Sequence, residues 1–179
     1  MVIDETLSMR PVKPADLGLL RDWIGRPHWQ EWWGPVDREI DYIQDMLAGR
    51  DTTRPFLFCR GEEPVGYIQV WSIADQVDAG WAEEEAWLLH APSDAVGVDL
   101  SIGDINQLGK GIGSRVLADF AVTLGEEGHR TILIDPDSDN TRAIRAYEKA
   151  GFRSLPHLTA KAYDCVIMQF EFNSPMETQ

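Results

Sequence analysis

An α/β fold, with helices inserted between the strands of one mixed sheet, is predicted by three patterns in this 179-residue chain. Residues 95–102, AVGVDLSI, alternate apolar side chains with small or polar ones, as a strand with one buried face does. The glycine-rich run QLGKGIGS at 107–114 follows and opens into an apolar-periodic segment. NTRAIRAYEKAGF at 140–152 reads as a helix with Asn140 as its N-cap and Gly151 as its stop. Helices that alternate with strands belong to one layered α/β domain.

The elements follow in order. Residues 6–12 read as a short first strand. Asp16 is placed to cap a helix whose Leu17, Leu20, Trp23 and Ile24 share one side, and Gly25 and Pro27 stop it. RPHWQEWWGP at 26–35 is too rich in Gly, Pro and Trp for a regular helix. A second helix covers 36–47, with Ile40, Ile43 and Leu47 inward. Residues 56–59 and 65–71 are β-rich runs joined by RGEEP, a hairpin with more than a two-residue loop. Residues 72–92, including WAEEEAW, form a long irregular stretch of the kind that is usually functional or disordered. After the strand at 95–102 come a helix at 111–124, a strand at 131–135, the helix at 140–150, and strands at 152–158 and 163–172. No repeat or linker divides the chain, so 1–173 read as one domain and 174–179 as a flexible polar tail.

Composition excludes several functions. The 16 Lys+Arg against 30 Asp+Glu leave a net charge of −14, which repels nucleic acid and anionic membranes. Apolar residues at 44% and charged residues at 26% are those of a globular protein. Cys59 and Cys165 follow no metal or redox pattern, so two free, buried thiols are expected, with no metal site. The acidic start MVIDETLSMR lacks the pattern of a signal peptide, and no apolar run reaches spanning length. The expectation is a cytoplasmic protein, monomer or homodimer. Seven Trp residues are many for this length and call for a structural reason.

Glycines at 109, 111 and 113 let a ligand approach the backbone closely, and the following helix adds its positive N-terminal dipole. The turn lacks the GK[ST] ending of a Walker A loop, and it lies too far along the chain for a dinucleotide fingerprint. On spacing alone it is equally a tight β–α connection without a ligand. Tyr147 shares a helical face with Ala143 and Ile144 and points inward, as a core tyrosine also would.

Together, QLGKGIG and NTRAIRAYEKAGF resemble the acetyl-CoA-binding core of the GCN5-related N-acetyltransferases (GNAT). Within that superfamily the chain is most similar to the aminoglycoside 6′-N-acetyltransferases and their siderophore-biosynthesis relatives. RPHWQEWWG at 26–34, PVGYIQ at 64–69, WAEEE at 81–85, VDLSIGDINQLGKGIG at 98–113 and IDPDSDNTRAIRAYEKAGF at 134–152 carry that match. The resemblance implies a mixed central sheet flanked by helices, with strands splayed at the acetyl-CoA site. It implies that backbone amides of Gly109, Lys110, Gly111, Ile112, Gly113 and Ser114 receive the pyrophosphate. Leu100 and Ile102 would pair through their backbone with the pantetheine arm, and Asn140 would lie near it. Tyr147 would be the general acid for the departing thiolate. Leu108 stands where most of the superfamily has Gln or Arg, a departure that the aminoglycoside group tolerates.

Direct transfer from a thioester needs a neutral amine, and an alkyl ammonium must first lose a proton. Asp99 on the central strand is the first candidate base, and a glutamate of 83–85 the second. A polycationic amine substrate suits a cleft of carboxylates, here Glu83, Glu84, Glu85, Asp99, Asp104, Asp135, Asp137 and Asp139. Trp29, Trp32, Trp33 and Trp81 are candidate walls, and His28 is open between acceptor contact and a backbone bond. The alternatives are an acyltransferase of siderophore or polyamine metabolism, and an acetyl-CoA-binding domain without turnover.

Overall fold

The alternating segments pair into a single twisted sheet in the structure, a computed structural model that describes residues 7–172. Thr6 and the tail read at 174–179 lie outside the described residues. Among those described, the strands are β1 (Leu7–Pro11), β2 (Arg54–Arg60), β3 (Glu63–Ser72), β4 (Val96–Ile102), β5 (Ile132–Ile134), β6 (Phe152–Ser154) and β7 (Met168–Phe170). The helices are α1 (Leu17–Ile24), α2 (Pro27–Gln30), α3 (Val36–Leu47), α4 (Ile73–Asp78), α5 (Ile112–Glu126), α6 (Thr141–Ala150) and α7 (Pro156–Thr159). The sheet order is β1-β2-β3-β4-β5-β7-β6. Neighbours are antiparallel except β4 and β5, which run parallel.

Two faces of the sheet are covered by different helices. Val96, Val98 and Ile102 of β4 pack with Val116, Leu117, Phe120 and Leu124 of α5. On the other face, Trp23, Ile24, Trp29, Ile40 and Ile43 cover Leu57 and Tyr67. A third cluster joins Ile73, Trp87, Leu133, Leu158 and Ile167. The tryptophans thereby gain a use: Trp29 packs at a tilt against Trp33 with centroids 4.9 Å apart, and Trp71 meets Trp87 edge-on at 6.3 Å. Such pairs add to the area that they bury.

Several expectations are corrected. Strands β2 and β3 extend further than read, so only Gly61 and Glu62 separate the paired Arg60 and Glu63. RPHWQEWWGP contains one helical turn, α2, started by Pro27. The stretch read as irregular holds α4 and two short 3-10 turns, with Ser72 Oγ accepting the Asp75 N–H at 3.3 Å. The strand expected at 152–158 ends at Ser154, because Pro156 has no N–H and starts α7. Of 163–172 only Met168–Phe170 is strand, while Cys165 makes a lone bridge to Asp137. Both cysteines are free, Cys59 buried and Cys165 half-buried. No helix among the described residues is long and apolar enough to cross a membrane.

Asp16 precedes α1 but does not cap it. Its carboxylate instead takes both arms of the Arg10 guanidinium at 2.8 Å and the Lys13 N–H at 2.8 Å, tying β1 to the first helix. The Arg10 bonds hold Asp16 below the usual carboxylate range. This stabilisation is complete above the unfolded value and is lost as pH falls through the lowered one. Asp16→Asn is expected to cost about 1 kcal/mol at neutral pH in urea unfolding. The difference from the parent should close as acid protonates the folded-state Asp16.

Candidate active site

Strands β4 and β5 pair only at Val96–Ile132 and Gly97–Leu133, and then part. A cavity of about 560 Å³ opens in the gap, walled by β4, the glycine turn, residues 134–137, α6 and the loop after α2. That volume suits a small-molecule site.

The β3–β4 ladder sets which backbone groups face this gap. Gly103 N–H donates to Val65 and Val96 N–H to Thr131, so Asp99 and Ser101 bond β3 while Leu100 and Ile102 turn the other way. The Ile102 carbonyl is already taken, by Trp29 Nε1 at 2.8 Å and His28 Nε2 at 3.0 Å. His28 therefore carries a proton on Nε2 for its backbone bond, and it also lines the cavity. The Leu100 amide and carbonyl and the Ile102 amide remain as an open strand edge, ready to pair with an extended amide-bearing ligand.

Gly109 and Gly111 have φ of +75° and +79°, a backbone that side chains other than glycine's rarely adopt. Helix α5 begins at the next residue, so its unbonded N–H groups point out over the turn. Gly109, Gly111, Gly113 and buried Ser114 line the cavity; Lys110 and Ile112 do not, and the Ile112 side chain is core. Across from the turn, Arg142, Arg145 and Lys149 of α6 line the same cavity at i, i+3 and i+7. Lys149 Nζ lies 3.8 Å from the place of a Cβ on Gly111. No ion pair engages these three among the described residues, whereas Arg10, Arg21, Arg26, Arg50, Arg54 and Arg153 all meet carboxylates. Unspent cations beside a helix N-terminus, in so acidic a chain, mark a seat for an anion.

Asn140 caps α6 by accepting the Ala143 N–H at 3.1 Å, and its side of the helix lines the cavity with Tyr147. Burial, with Asp99 and Asp135 nearby, pushes the Tyr147 hydroxyl well up, so it keeps its proton at physiological pH.

Carboxylates line the same cavity. Asp99 Oδ2 accepts Gln69 Nε2 and Trp71 Nε1, both at 2.8 Å. Burial raises Asp99 above the usual range, against the pull of those two donors. Asp135 is raised further, by burial and then by Asp99 and Glu85. Glu39, which accepts the Gly34 N–H at 3.2 Å, is raised mainly by burial. Burial thus disfavours the charged form of three half-buried acids facing one cavity, and a cation joining them would favour it.

Not every candidate reaches the cavity. Trp32 and Trp33 line it, but Trp29 is fully buried behind it. Trp81 packs edge-on against Tyr42 at 6.0 Å, and Glu83 and Glu84 are exposed; none of the three is among the lining residues. Glu85 accepts Trp87 Nε1 at 3.1 Å. Asp104 holds the Asn106 N–H at 2.9 Å, and Asp139 is exposed, whereas Asp137 lines the cavity. Glu39, Gln69, Trp71 and the three α6 cations are functional candidates that the motifs alone did not single out. The i, i+3, i+7 spacing was a signal for the cations; the others depend on strand register and helix docking. No group of three or more His, Cys, Asp or Glu among the described residues could hold a metal ion.

Residues 13–160 match the Acetyltransferase (GNAT) domain family, and the chain belongs to it. The aminoglycoside N(6′)-acetyltransferase type 1 of Klebsiella pneumoniae is 33% identical, over 92% of this chain and 83% of its own. The lysine N-acyltransferase MbtK of Mycobacterium sp. (strain MCS) is 27% identical over 84% of this chain and 61% of its own. The solved aminoglycoside acetyltransferase AAC(6′)-Ib with coenzyme A and kanamycin is 27% identical, with a TM-score of 0.76 covering 92% of this chain and 94% of that one. The chain is thus an acetyl-CoA-dependent N-acetyltransferase of GNAT fold, as its motifs implied. Its residues fit the coenzyme: an open strand edge for the amide-bearing arm, an amide cradle and free cations for phosphates.

Lys149→Glu is expected to weaken coenzyme A binding about tenfold in calorimetry at low salt, less at high salt. Its exposed position should leave the melting temperature unchanged.

Proposed function

We propose that this chain transfers an acetyl group from acetyl-CoA directly to a primary amine of a polycationic small molecule, the 6′-amine of an aminoglycoside. The convergence of Asp99, Asp135 and Glu39 on the cavity that the α6 cations also line carries the reading. Cations and buried carboxylates in one cleft suit an anionic coenzyme and a cationic acceptor together. Residues 1–173 act as the single catalytic domain, and the two free thiols fit a reducing, cytoplasmic setting.

Acetyl-CoA supplies the acyl group as a thioester open to attack by an amine. Asp135 and Glu39 hold the acceptor's ammonium groups, and Trp33 offers an apolar wall. Asp99 accepts a proton from the acceptor amine on Oδ1, the oxygen left without a partner among the described residues. Burial suits it to this task, because a raised carboxylate is a stronger base. Tyr147 holds a proton for the leaving sulfur, with the Asn140 side of α6 beside the arm.

The similarity to a lysine N-acyltransferase supports a second reading, an amine or hydroxylamine of lysine type as acceptor. A coenzyme A release assay with kanamycin, polyamines and lysine-type amines compared side by side separates the two. Kanamycin should turn over fastest; activity confined to another class would defeat the aminoglycoside reading. Asp99→Asn is expected to lower kcat at least a hundredfold, and Tyr147→Phe tenfold or more, as loss of a general base or acid does. Both should bind acetyl-CoA as the parent does, and full activity in either would remove that residue from its role.

A further inference from the structure

Three aligned residues surround the proposed base on the face of β4 away from α5. Trp71 of β3 is the direct cross-strand partner of Gly97, and Gln69 is the partner of Asp99. A Cβ on Gly97 would collide with Cζ2, Cε2 and Cη2 of the Trp71 indole. The missing side chain is therefore what lets the ring lie flat across the strand and carry Nε1 two residues along to Asp99. Trp87 closes on the ring edge-on at 6.3 Å. Trp71 is not among the residues lining the cavity, and its link to the site runs through Asp99.

The two donors converge on one oxygen. Trp71 Nε1 and Gln69 Nε2 both bond Oδ2, and Tyr67 fixes the amide's orientation by donating its hydroxyl to Gln69 Oε1 at 2.6 Å. Oδ1 has no partner among the described residues, yet it is not buried out of reach. The carboxylate thus has one occupied oxygen, turned into the sheet, and one free oxygen for the cavity.

We propose that Trp71 is a positioning residue for acyl transfer, seated by Gly97, which pins Asp99 through Oδ2 so that Oδ1 alone meets the acceptor amine. This rests on Asp99 as base. The groups facing Asp99 are Glu39 on α3, Tyr67 on β3, Asp135 after β5 and Tyr147 on α6. All are neutral or anionic, so the two N–H donors are what favours its carboxylate form. The indole N–H cannot accept, so its bond to Oδ2 holds whenever Asp99 is ionised and weakens on protonation.

Nuclear magnetic resonance tests this on the intact protein. In the parent, the Trp71 indole N–H resonance should titrate with the same midpoint as the Asp99 carboxyl carbon. Trp71→Phe removes the donor and should raise that midpoint by about one pH unit. Gly97→Ala keeps every polar group but displaces the ring, and should raise it in the same direction. Both variants should lose kcat several-fold near neutral pH, recover it at higher pH, and keep the KM for acetyl-CoA. A Trp71 resonance indifferent to Asp99 titration, or an unmoved midpoint in a folded variant, would overturn the proposal. If Asp99→Asn is nonetheless inactive, the base survives and only the positioning role falls. If Asp99→Asn is fully active, the base itself fails.

Discussion

The parting of β4 from β5 after two residue pairs is the constraint on which the rest depends. A sheet that kept pairing would consume the backbone groups of Leu100 and Ile102 and fill the cavity with its neighbour. Separation leaves polar backbone facing a gap, which is costly unless something satisfies it. At the far end the protein does this itself, with His28 and Trp29 both holding the Ile102 carbonyl. Nearer the middle, the remaining groups stay open, as the edge that we propose pairs with the coenzyme.

Charge is then distributed along the gap with the same economy. The glycine turn and the α6 cations line it together with Asp99, Asp135 and Glu39. The net charge of −14 is thus unevenly spread at the site that matters. Burial disfavours the charged form of the carboxylates, and a cationic ligand would relieve it. On the proposed function, binding of coenzyme and acceptor completes the electrostatics of the fold as well as starting the chemistry.

Local signals were legible in the sequence, and the long-range ones were not. The glycine turn, the Asn140 cap, Gly151 and the alternation of β4 each depend on neighbours within a few residues, and all stand where they were read. Short elements were lost: α4 spans six residues, too few for a periodic pattern, though Ser72 with Asp75 was a capping signal. Pro156 inside a supposed strand was a second signal, and the proline overrode the β-rich composition around it. In the site, Asp99 and Tyr147 were readable because motifs frame them. Gln69 and Trp71 were not, since only the β3–β4 register brings them to Asp99. Trp81, Glu83 and Glu84 lay in a suggestive run, yet the 3-10 turn from Trp81 to Glu83 packs beside α3 rather than in the cavity. Position along the chain does not report the direction in which an irregular segment leaves the sheet.

A crystal structure of the chain with coenzyme A and kanamycin tests the central claim most directly. The account predicts the pantetheine amides bonded to Leu100 and Ile102, phosphates between the glycine turn and Lys149, and the 6′-amine within hydrogen-bonding distance of Asp99 Oδ1. A coenzyme seated away from the β4 edge, or an acceptor whose amines all lie beyond reach of Asp99, would contradict it.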